Sequence, residues 1–124
     1  MDGKLTAFLP TADPPTAKRF FTEVLEFALQ SEDPSGMVFD AGGTMLRVAT
    51  VEAVQAAPYT VLSWEVADIT RTVRELVGRG VAFRRYDGLE QDPDGIWEVP
   101  GAGARVAWFM DPDGSVLSLT QARR

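Results

Sequence analysis

The chain has 124 residues, of which 45% are apolar and 24% charged, a composition typical of one globular domain with its own core. Its formal net charge of −6 disfavours nucleic acid as a partner, because phosphate backbones attract basic surfaces. Cysteine and histidine are both absent, which excludes disulfides, thiol nucleophiles, zinc–thiolate sites and the side chain that most often acts as a general base near neutral pH.

No targeting or membrane segment is evident in the sequence. The first ten residues, MDGKLTAFLP, place an acid before their only lysine and contain no long apolar run, unlike a secretory signal. No later stretch approaches the length needed to span a bilayer. We therefore expect a cytoplasmic protein without a membrane partner.

The first half of the chain predicts a strand, a helix and three further strands. Residues 5–10 are extended in character, and Asp13-Pro14 supplies an N-cap followed by proline at the first helical position. Apolar residues then recur at helical spacing as far as Leu25. Three short strand-like runs follow, separated by turn residues. These runs are FALQSE, GMVFDA and TMLRVATV.

The second half repeats this order of elements. YTVLSWEV, residues 59–66, predicts a strand, and Asp68 is placed to cap a helix that Gly80 ends in a left-handed conformation. Three more strands are predicted after this helix, and DPDG joins the last two. These strands are VAFRRY, ARVAWFM and SVLSLTQ.

The two halves align as copies of one unit. Asp13 and Asp68, the helix caps, are 55 residues apart, whereas Gly43 and Gly114, in the turns before the last strands, are 71 apart. A four-stranded sheet with one helix leaves one face uncovered, so two such units are expected to pair. We therefore predict an α+β fold in one domain, residues 1–124, with βαβββ modules at about 4–50 and 59–121 and a connector at about 51–58.

Two stretches of the sequence resemble a known family. ADPPTAKRFFTEVLEF, in which an acid precedes a helix, and ARVAWFMDPDGSVLSLTQ, with aromatic residues before a DPDG hairpin, are similar to the opening and closing signatures of the vicinal oxygen chelate superfamily. That superfamily includes glyoxalase I, extradiol dioxygenases, fosfomycin-resistance transferases and metal-free bleomycin-binding proteins. The resemblance covers nearly the whole chain and implies paired βαβββ modules whose sheets curl around a cavity, often within a homodimer.

The resemblance also implies where metal ligands would lie. Members that catalyse reactions commonly bind a divalent metal through histidine, glutamine or glutamate side chains from the first and last strands of the modules. The matching positions are Thr6 and Val61 in the first strands, and Arg47 and Ser118 in the last. Valine has no donor atom, arginine repels a cation, and neutral hydroxyls bind such metals weakly, so we expect neither a metal nor a cofactor. The neighbouring positions are all aliphatic: Ala7, Leu46, Leu62, Leu117 and Leu119.

The same strands predict the lining of the cavity, because residues two apart on a strand share a face. That lining suits a polar small molecule, with Arg47 able to bind a carboxylate or phosphate. Alternatively, Arg47 and Glu65 pair with each other or reach solvent. Glu65 is also a candidate general base, although no partner that would position it is evident. The shared faces are Tyr59, Val61, Ser63 and Glu65; Met45, Arg47 and Ala49; and Val116, Ser118 and Thr120.

The DPDG sequence at 111–114 raises the question of a calcium site. A calcium loop of the EF-hand type needs glycine at its sixth position and glutamate at its twelfth, but Val116 and Ala122 stand there. Aspartate, proline and glycine are instead typical of tight turns. We predict turns both here and at the second DPDG, residues 92–95.

The difference between the two offsets places an insertion of 16 residues between Asp87 and Ala104. This stretch carries four glycines, two prolines and five acids around Ile96 and Trp97. A mobile acidic loop that presents an aromatic side chain suggests a lid or the rim of a pocket. The sequence contains three tryptophans. They either form flat walls for a planar ligand or fill the core or a dimer interface. These are Trp64, Trp97 and Trp108.

Three functions are compatible with these features. The first is a metal-independent homodimeric protein, similar in kind to the bleomycin-resistance branch, that sequesters a planar or cationic small molecule. The second is a lyase, isomerase or dioxygenase with displaced metal ligands, for which Glu65, Glu98 and Asp40 are the candidates. The third is a dimeric interaction domain whose cavity is filled by side chains.

Overall fold

The chain folds as an α+β structure with two four-stranded sheets, seen in a computed structural model that describes residues 1–123. It divides into two compact units. Unit 1 comprises Met1–Ala56 and Asp111–Gly114, and unit 2 comprises Ala57–Met110 and the residues from Ser115 onward. No helix within residues 1–123 is long and apolar enough to cross a membrane.

Unit 1 has the predicted strand–helix–strand–strand–strand order. Its open sheet has the strand order β1-β4-β3-β2, in which the first and last strands of the unit pair in parallel and the other pairs are antiparallel. The elements are β1 (Thr6–Thr11), α1 (Pro14–Arg19), a π-helical segment (Phe20–Val24), β2 (Ala28–Asp33), β3 (Gly36–Asp40) and β4 (Met45–Thr50).

The predicted first helix is confirmed in position, but its second half is π-helical. Asp13 caps α1, because its carboxylate accepts hydrogen bonds from the amide and the hydroxyl of Thr16. Further along, the amide of Leu25 donates to the carbonyl of Phe20, five residues back, at 3.0 Å. Within this segment Phe21 is fully buried, and its ring centroid lies 5.4 Å from that of Phe39 in β3.

Unit 2 repeats the same topology. Its sheet has the order β5-β8-β7-β6, again with its first and last strands parallel. Asp68 caps α2 through the amide of Arg71, and Gly80 follows the helix with a φ of 98°, as predicted. The elements are β5 (Thr60–Glu65), α2 (Ile69–Gly78), β6 (Trp97–Glu98), β7 (Arg105–Met110) and β8 (Val116–Gln121).

The strand predicted at VAFRRY is wrong. Residues 81–86 form no strand, and their place in the sheet order is taken by β6, which lies inside the stretch predicted to be an inserted loop. The reason lies in the side chain of Gln91. Its amide group donates to the carbonyl of Arg84 and accepts from the amide of Tyr86, at 2.9 and 2.8 Å. The Gln91 side chain thus satisfies two of the segment's backbone groups, while the amide of Arg84 donates to the carbonyl of Trp108 in β7 at 2.8 Å.

Both DPDG sequences are confirmed as turns, and they have the same hydrogen bonds. In each, the glycine amide donates to the carbonyl of the first aspartate, at 3.0 Å for Gly114 and 2.9 Å for Gly95. The first aspartate's carboxylate also accepts from the amide two residues on, at 3.0 Å for Asp111 and 2.9 Å for Asp92. These carboxylates therefore stabilise the turns themselves.

Each unit has a core on the face of its sheet that packs against its helix. In unit 2, α2 buries its apolar stripe on β7 and β8, which contribute fully buried Phe109 and Leu117. The opposite face of each sheet carries the alternate residues, among them the predicted site positions. The buried apolar residues of unit 1 include Leu9, Phe21, Phe39, Leu46 and Val48, and those of unit 2 include Ile69, Val73 and Leu76.

Gly36, at the start of β3, is required by a close approach between two strands. A Cβ atom at this position would lie 2.5 Å from the carbonyl oxygen of Val48 in β4, which is backbone and cannot turn aside. Gly78, at the end of α2, has no such neighbour within 4 Å.

We predict opposite effects of alanine at these two glycines. Gly36→Ala should lower the free energy of unfolding by about 2–3 kcal/mol, because β3 and β4 must separate locally. Gly78→Ala should raise it by up to about 1 kcal/mol through helix propensity. Urea denaturation of both variants measures these changes, and a neutral Gly36→Ala would contradict the described pairing of β3 with β4.

Candidate functional site

Five of the predicted site residues lie on one face of the sheet of unit 2. Ser63, Ser118 and Trp108 are cross-strand neighbours on β5, β8 and β7. The next cross-strand row begins with Glu65 on β5 and ends with Trp97 on β6. Thr120 on β8 and Val106 on β7 lie between them. Register therefore brings two hydroxyls, one carboxylate and two indoles to one surface, which we call the indole face.

The hydroxyls on the indole face are bonded to each other. Ser118 is only 3% exposed, and its Oγ donates a hydrogen bond of 2.7 Å to the Oγ of Ser63. Glu65, one row further on, is exposed. Val61 lies at a bulge where the pairing of β5 with β8 shifts register, and 38% of its surface is exposed. Tyr59 precedes β5 and is 67% exposed.

Aromatic rings form the other end of the indole face. The ring centroids of Trp97 and Trp108 lie 6.0 Å apart with their planes tilted by 34°. Tyr86 meets Trp108 edge-on at 5.2 Å, and the guanidinium of Arg84 lies over the Tyr86 ring at 5.4 Å. All three rings are half-buried, so part of each remains accessible beside the polar row. Trp64 alternates with Ser63 and Glu65 on β5 and so faces the other way.

The predicted insertion, Asp87–Ala104, is held in place around Gln91. Besides its bonds to Arg84 and Tyr86, the Gln91 side chain donates to the carbonyl of Gly95 at 2.8 Å. Nearby, the guanidinium of Arg74 on α2 binds the carboxylate of Asp94 through two nitrogens, the shorter contact being 3.1 Å. These bonds fix the backbone that carries Trp97.

A surface pocket with a volume of about 860 Å³ lies in unit 2 and is built largely by this inserted stretch. Trp97 contributes to its wall as well as to the indole face. Its charged lining residues are Glu90, Glu98 and Arg123. Its volume is within the range of pockets that bind small molecules.

Two predicted site residues belong to unit 1. Thr6 is exposed at the first position of β1, and Arg47 lies between Phe8 and Val38 in a cross-strand row. The guanidinium of Arg47 donates a 2.8 Å hydrogen bond to the Ser35 hydroxyl. The hydroxyl and the amide of Ser35 in turn donate to Asp33 and lower the pKa of that carboxyl, an effect to which the charge of Arg47 adds.

The donor groups at the family's four ligand positions do not fit a divalent metal, and Thr6 offers only a neutral hydroxyl. Val61 offers no donor, Arg47 is a cation bound to a hydroxyl, and Ser118 is a buried neutral hydroxyl already bonded to Ser63. Within the described residues, no three acidic side chains lie close enough together to share a metal ion. Asp40, one of the displaced-ligand candidates, accepts a hydrogen bond from the amide of Gly43 at 2.7 Å.

Sequence reasoning missed three residues that shape this region. Gln91 was not singled out, because a lone glutamine in an acidic loop gives no sign that its amide replaces a strand. The sequence predicts Tyr86 in a strand that does not form, and no sequence motif includes Arg123. Alternation of residues along β5 and β8 did indicate the shared face of Ser63, Glu65 and Ser118.

We predict that Gln91→Ala lowers the free energy of unfolding by about 2–3 kcal/mol, since three hydrogen bonds to half-buried backbone groups are lost. Urea denaturation measures the change. Gln55→Ala, at an exposed position of the connector, is the matched control and should change stability by less than about 0.5 kcal/mol. Equal effects of the two substitutions would show that the Gln91 side chain does not hold the insertion.

A family profile described as the Glyoxalase/Bleomycin resistance protein/Dioxygenase superfamily matches residues 5–119. Among curated protein sequences, none is similar enough to the chain to count as a match.

Solved structures of low sequence identity share the fold. The genomically encoded fosfomycin resistance protein FosX from Listeria monocytogenes has a TM-score of 0.77 at 13% identity, covering 99% of this chain and 95% of its own. Lactoylglutathione lyase from Agrobacterium tumefaciens has a TM-score of 0.74 at 14% identity, with 98% and 94% covered. TioX from Micromonospora sp. ML1 has a TM-score of 0.69 at 20% identity, with 98% and 99% covered.

Proposed function

Because the chain belongs to the glyoxalase/bleomycin resistance protein/dioxygenase superfamily, we propose that it binds a planar small molecule, preferably a cationic one, without a metal. The observation that carries this proposal is the pair of half-buried indoles, Trp97 and Trp108, on the indole face of unit 2. We propose sequestration rather than catalysis as the outcome of binding. The predicted homodimer and cytoplasmic location stay predictions.

The indoles support a planar ligand. Large rings bury much apolar surface and stack on flat partners, and such aromatic contacts contribute beyond the area they bury. Trp97 and Trp108 are 6.0 Å apart and tilted, which leaves an angled surface rather than a closed stack. Backbone pairing of β6 with β7 and the bonds of Gln91 hold this surface, so little ordering would be needed on binding.

The surrounding charges favour a cation. Glu65, on β5, is an exposed carboxylate on the indole face itself. The chain as a whole has a net charge of −6, which attracts cations over longer range. Indole rings also attract cations through their electron-rich faces.

The polar groups support binding without a metal. A metal site in this fold needs anionic or imidazole donors at the strand positions, but here these positions hold a bulged valine, an arginine and a buried serine. The Ser118 hydroxyl is buried, neutral and bonded to Ser63, and no carboxylate accompanies it at that position. Glu65 has no histidine to orient it, since the chain contains none.

We predict that Trp97→Leu and Trp108→Leu each weaken binding of the planar cation proflavine about tenfold, because each removes a stacking surface. Isothermal titration of the intact chain measures the dissociation constants. Trp64→Phe is the control, since Trp64 faces away from Ser63, and it should bind as the unmodified chain does.

Cyclohexylamine, a cation without a flat ring, tests the role of planarity and should bind far more weakly than proflavine. Proflavine binding that is unchanged by both tryptophan substitutions would contradict the indole face as the site. Circular dichroism of each variant establishes that a loss of binding is not a loss of fold.

A second prediction concerns metal dependence. Protein purified without chelator should contain no stoichiometric transition metal, and dialysis against EDTA should leave proflavine affinity unchanged, because the ligand positions hold no suitable donors. Elemental analysis and titration before and after dialysis provide the measurements. A stoichiometric metal that is lost in Glu65→Ala would overturn the proposal in favour of an enzyme with displaced ligands.

A further inference from the structure

Trp97 forms part of the wall of the 860 Å³ pocket in unit 2. The pocket is lined by the segment 88–90 and by residues that follow β6, between Val99 and Gly103. Leu89, Val99 and Pro100 supply apolar walls, and three glycines leave the backbone accessible. The pocket therefore combines an aromatic wall, aliphatic walls and charged groups.

The three charged side chains that line the pocket do not bind other protein groups in the part of the chain that the structure describes. Among the described residues, Glu90, Glu98 and Arg123 take part in no hydrogen bond or ion pair, although they line the same pocket. By contrast, the neighbouring acids Asp92 and Asp94 accept bonds from the backbone and from Arg74. Opposite charges that line one pocket without pairing are available to a ligand that carries both signs.

The side chain of Arg123 is directed by contact with a glycine. A Cβ atom at Gly103 would lie 2.7 Å from Cδ and 3.1 Å from Cγ of Arg123, so the arginine's aliphatic stem crosses directly above this glycine. Gly103 also has a φ of 70°, which other residues rarely adopt. The missing side chain at Gly103 thus leaves the space that the arginine stem occupies beside the pocket.

We propose that this pocket binds a zwitterionic aromatic molecule. Its ammonium group lies against Glu90 and Glu98, its carboxylate binds the Arg123 guanidinium, and its ring packs on Trp97. The proposal rests on the proposed function, because it takes Trp97 as the aromatic platform, and it adds the charge pattern of the ligand.

Three probes with the same indole ring separate the contributions. Tryptophan carries both charges, tryptamine carries only the ammonium, and indole-3-propionate carries only the carboxylate. Ligand-observed NMR titration of the intact chain gives a dissociation constant for each. We expect tryptophan to bind most tightly and indole-3-propionate most weakly, because two carboxylates face one guanidinium.

Charge-removing variants assign each group. Glu98→Gln and Glu90→Gln should each weaken tryptophan and tryptamine about fivefold and leave indole-3-propionate unchanged or slightly improved, as expected for exposed ion pairs. Arg123→Gln should weaken tryptophan and indole-3-propionate by a similar factor and leave tryptamine unweakened. Glu52→Gln and Arg19→Gln, exposed charges of unit 1, are the controls and should change none of the three affinities.

A further variant tests the path of Arg123. Gly103→Ala should displace the arginine stem and reproduce the effect of Arg123→Gln on indole-3-propionate while the arginine is still present. Circular dichroism and thermal unfolding separate this effect from misfolding.

Two results would overturn the inference. One is equal affinity for all three probes with no effect of the charge variants, and the other is no binding of any probe up to its solubility limit. If charge variants have no effect but Trp108→Leu still weakens proflavine, the pocket inference fails and the proposed function stands. If the charge variants act as expected but Trp108→Leu leaves proflavine affinity unchanged, the indole face fails and the charged pocket, which uses Trp97 alone, stands.

Discussion

Parallel pairing of the first and last strands is the constraint on which each unit depends. Parallel neighbours cannot be joined by a tight turn. The chain therefore passes from the first strand through a helix on one face of the sheet to the opposite edge, and returns through two antiparallel strands to the last one. The helix supplies the core on its side and leaves the other face for the candidate site residues. In both units this pairing sets the register, which joins Phe8 to Arg47 and Ser63 to Ser118.

The same register carries different chemistry in the two units. Adding 55 to Phe8 gives Ser63, and adding 71 to Arg47 gives Ser118, so the two pairs are equivalent. In unit 1 the last-strand position holds a cation bound to Ser35, whereas in unit 2 it holds a buried hydroxyl. A duplicated backbone thus supplies equivalent positions, and the insertion in unit 2 adds the aromatic platform and the pocket.

Features with local causes could be predicted from the sequence. The aspartate caps, Gly80 and both DPDG turns depend on hydrogen bonds within a few residues, so residue types and spacing indicated them correctly. The failed strand at residues 81–86 has a cause that lies outside the segment itself. Its β-like composition was compatible with pairing, but the amide of Gln91 occupied its backbone groups, and short β6 took the edge of the sheet. No pattern within the segment itself records that competition.

The sequence by itself determined the order of elements, the family and the donor atoms at each strand position, because these follow from residue type and local spacing. Thus Ser118 and Val61 already argued against the fold's metal chemistry. The tertiary structure decided which side chains meet. Only the register of β6 with β7 brings Trp97 beside Trp108, and only the folded insertion gathers Glu90, Glu98 and Arg123 around one pocket. Such contacts depend on strand register and on the fold of the insertion, which residue type and local spacing do not specify.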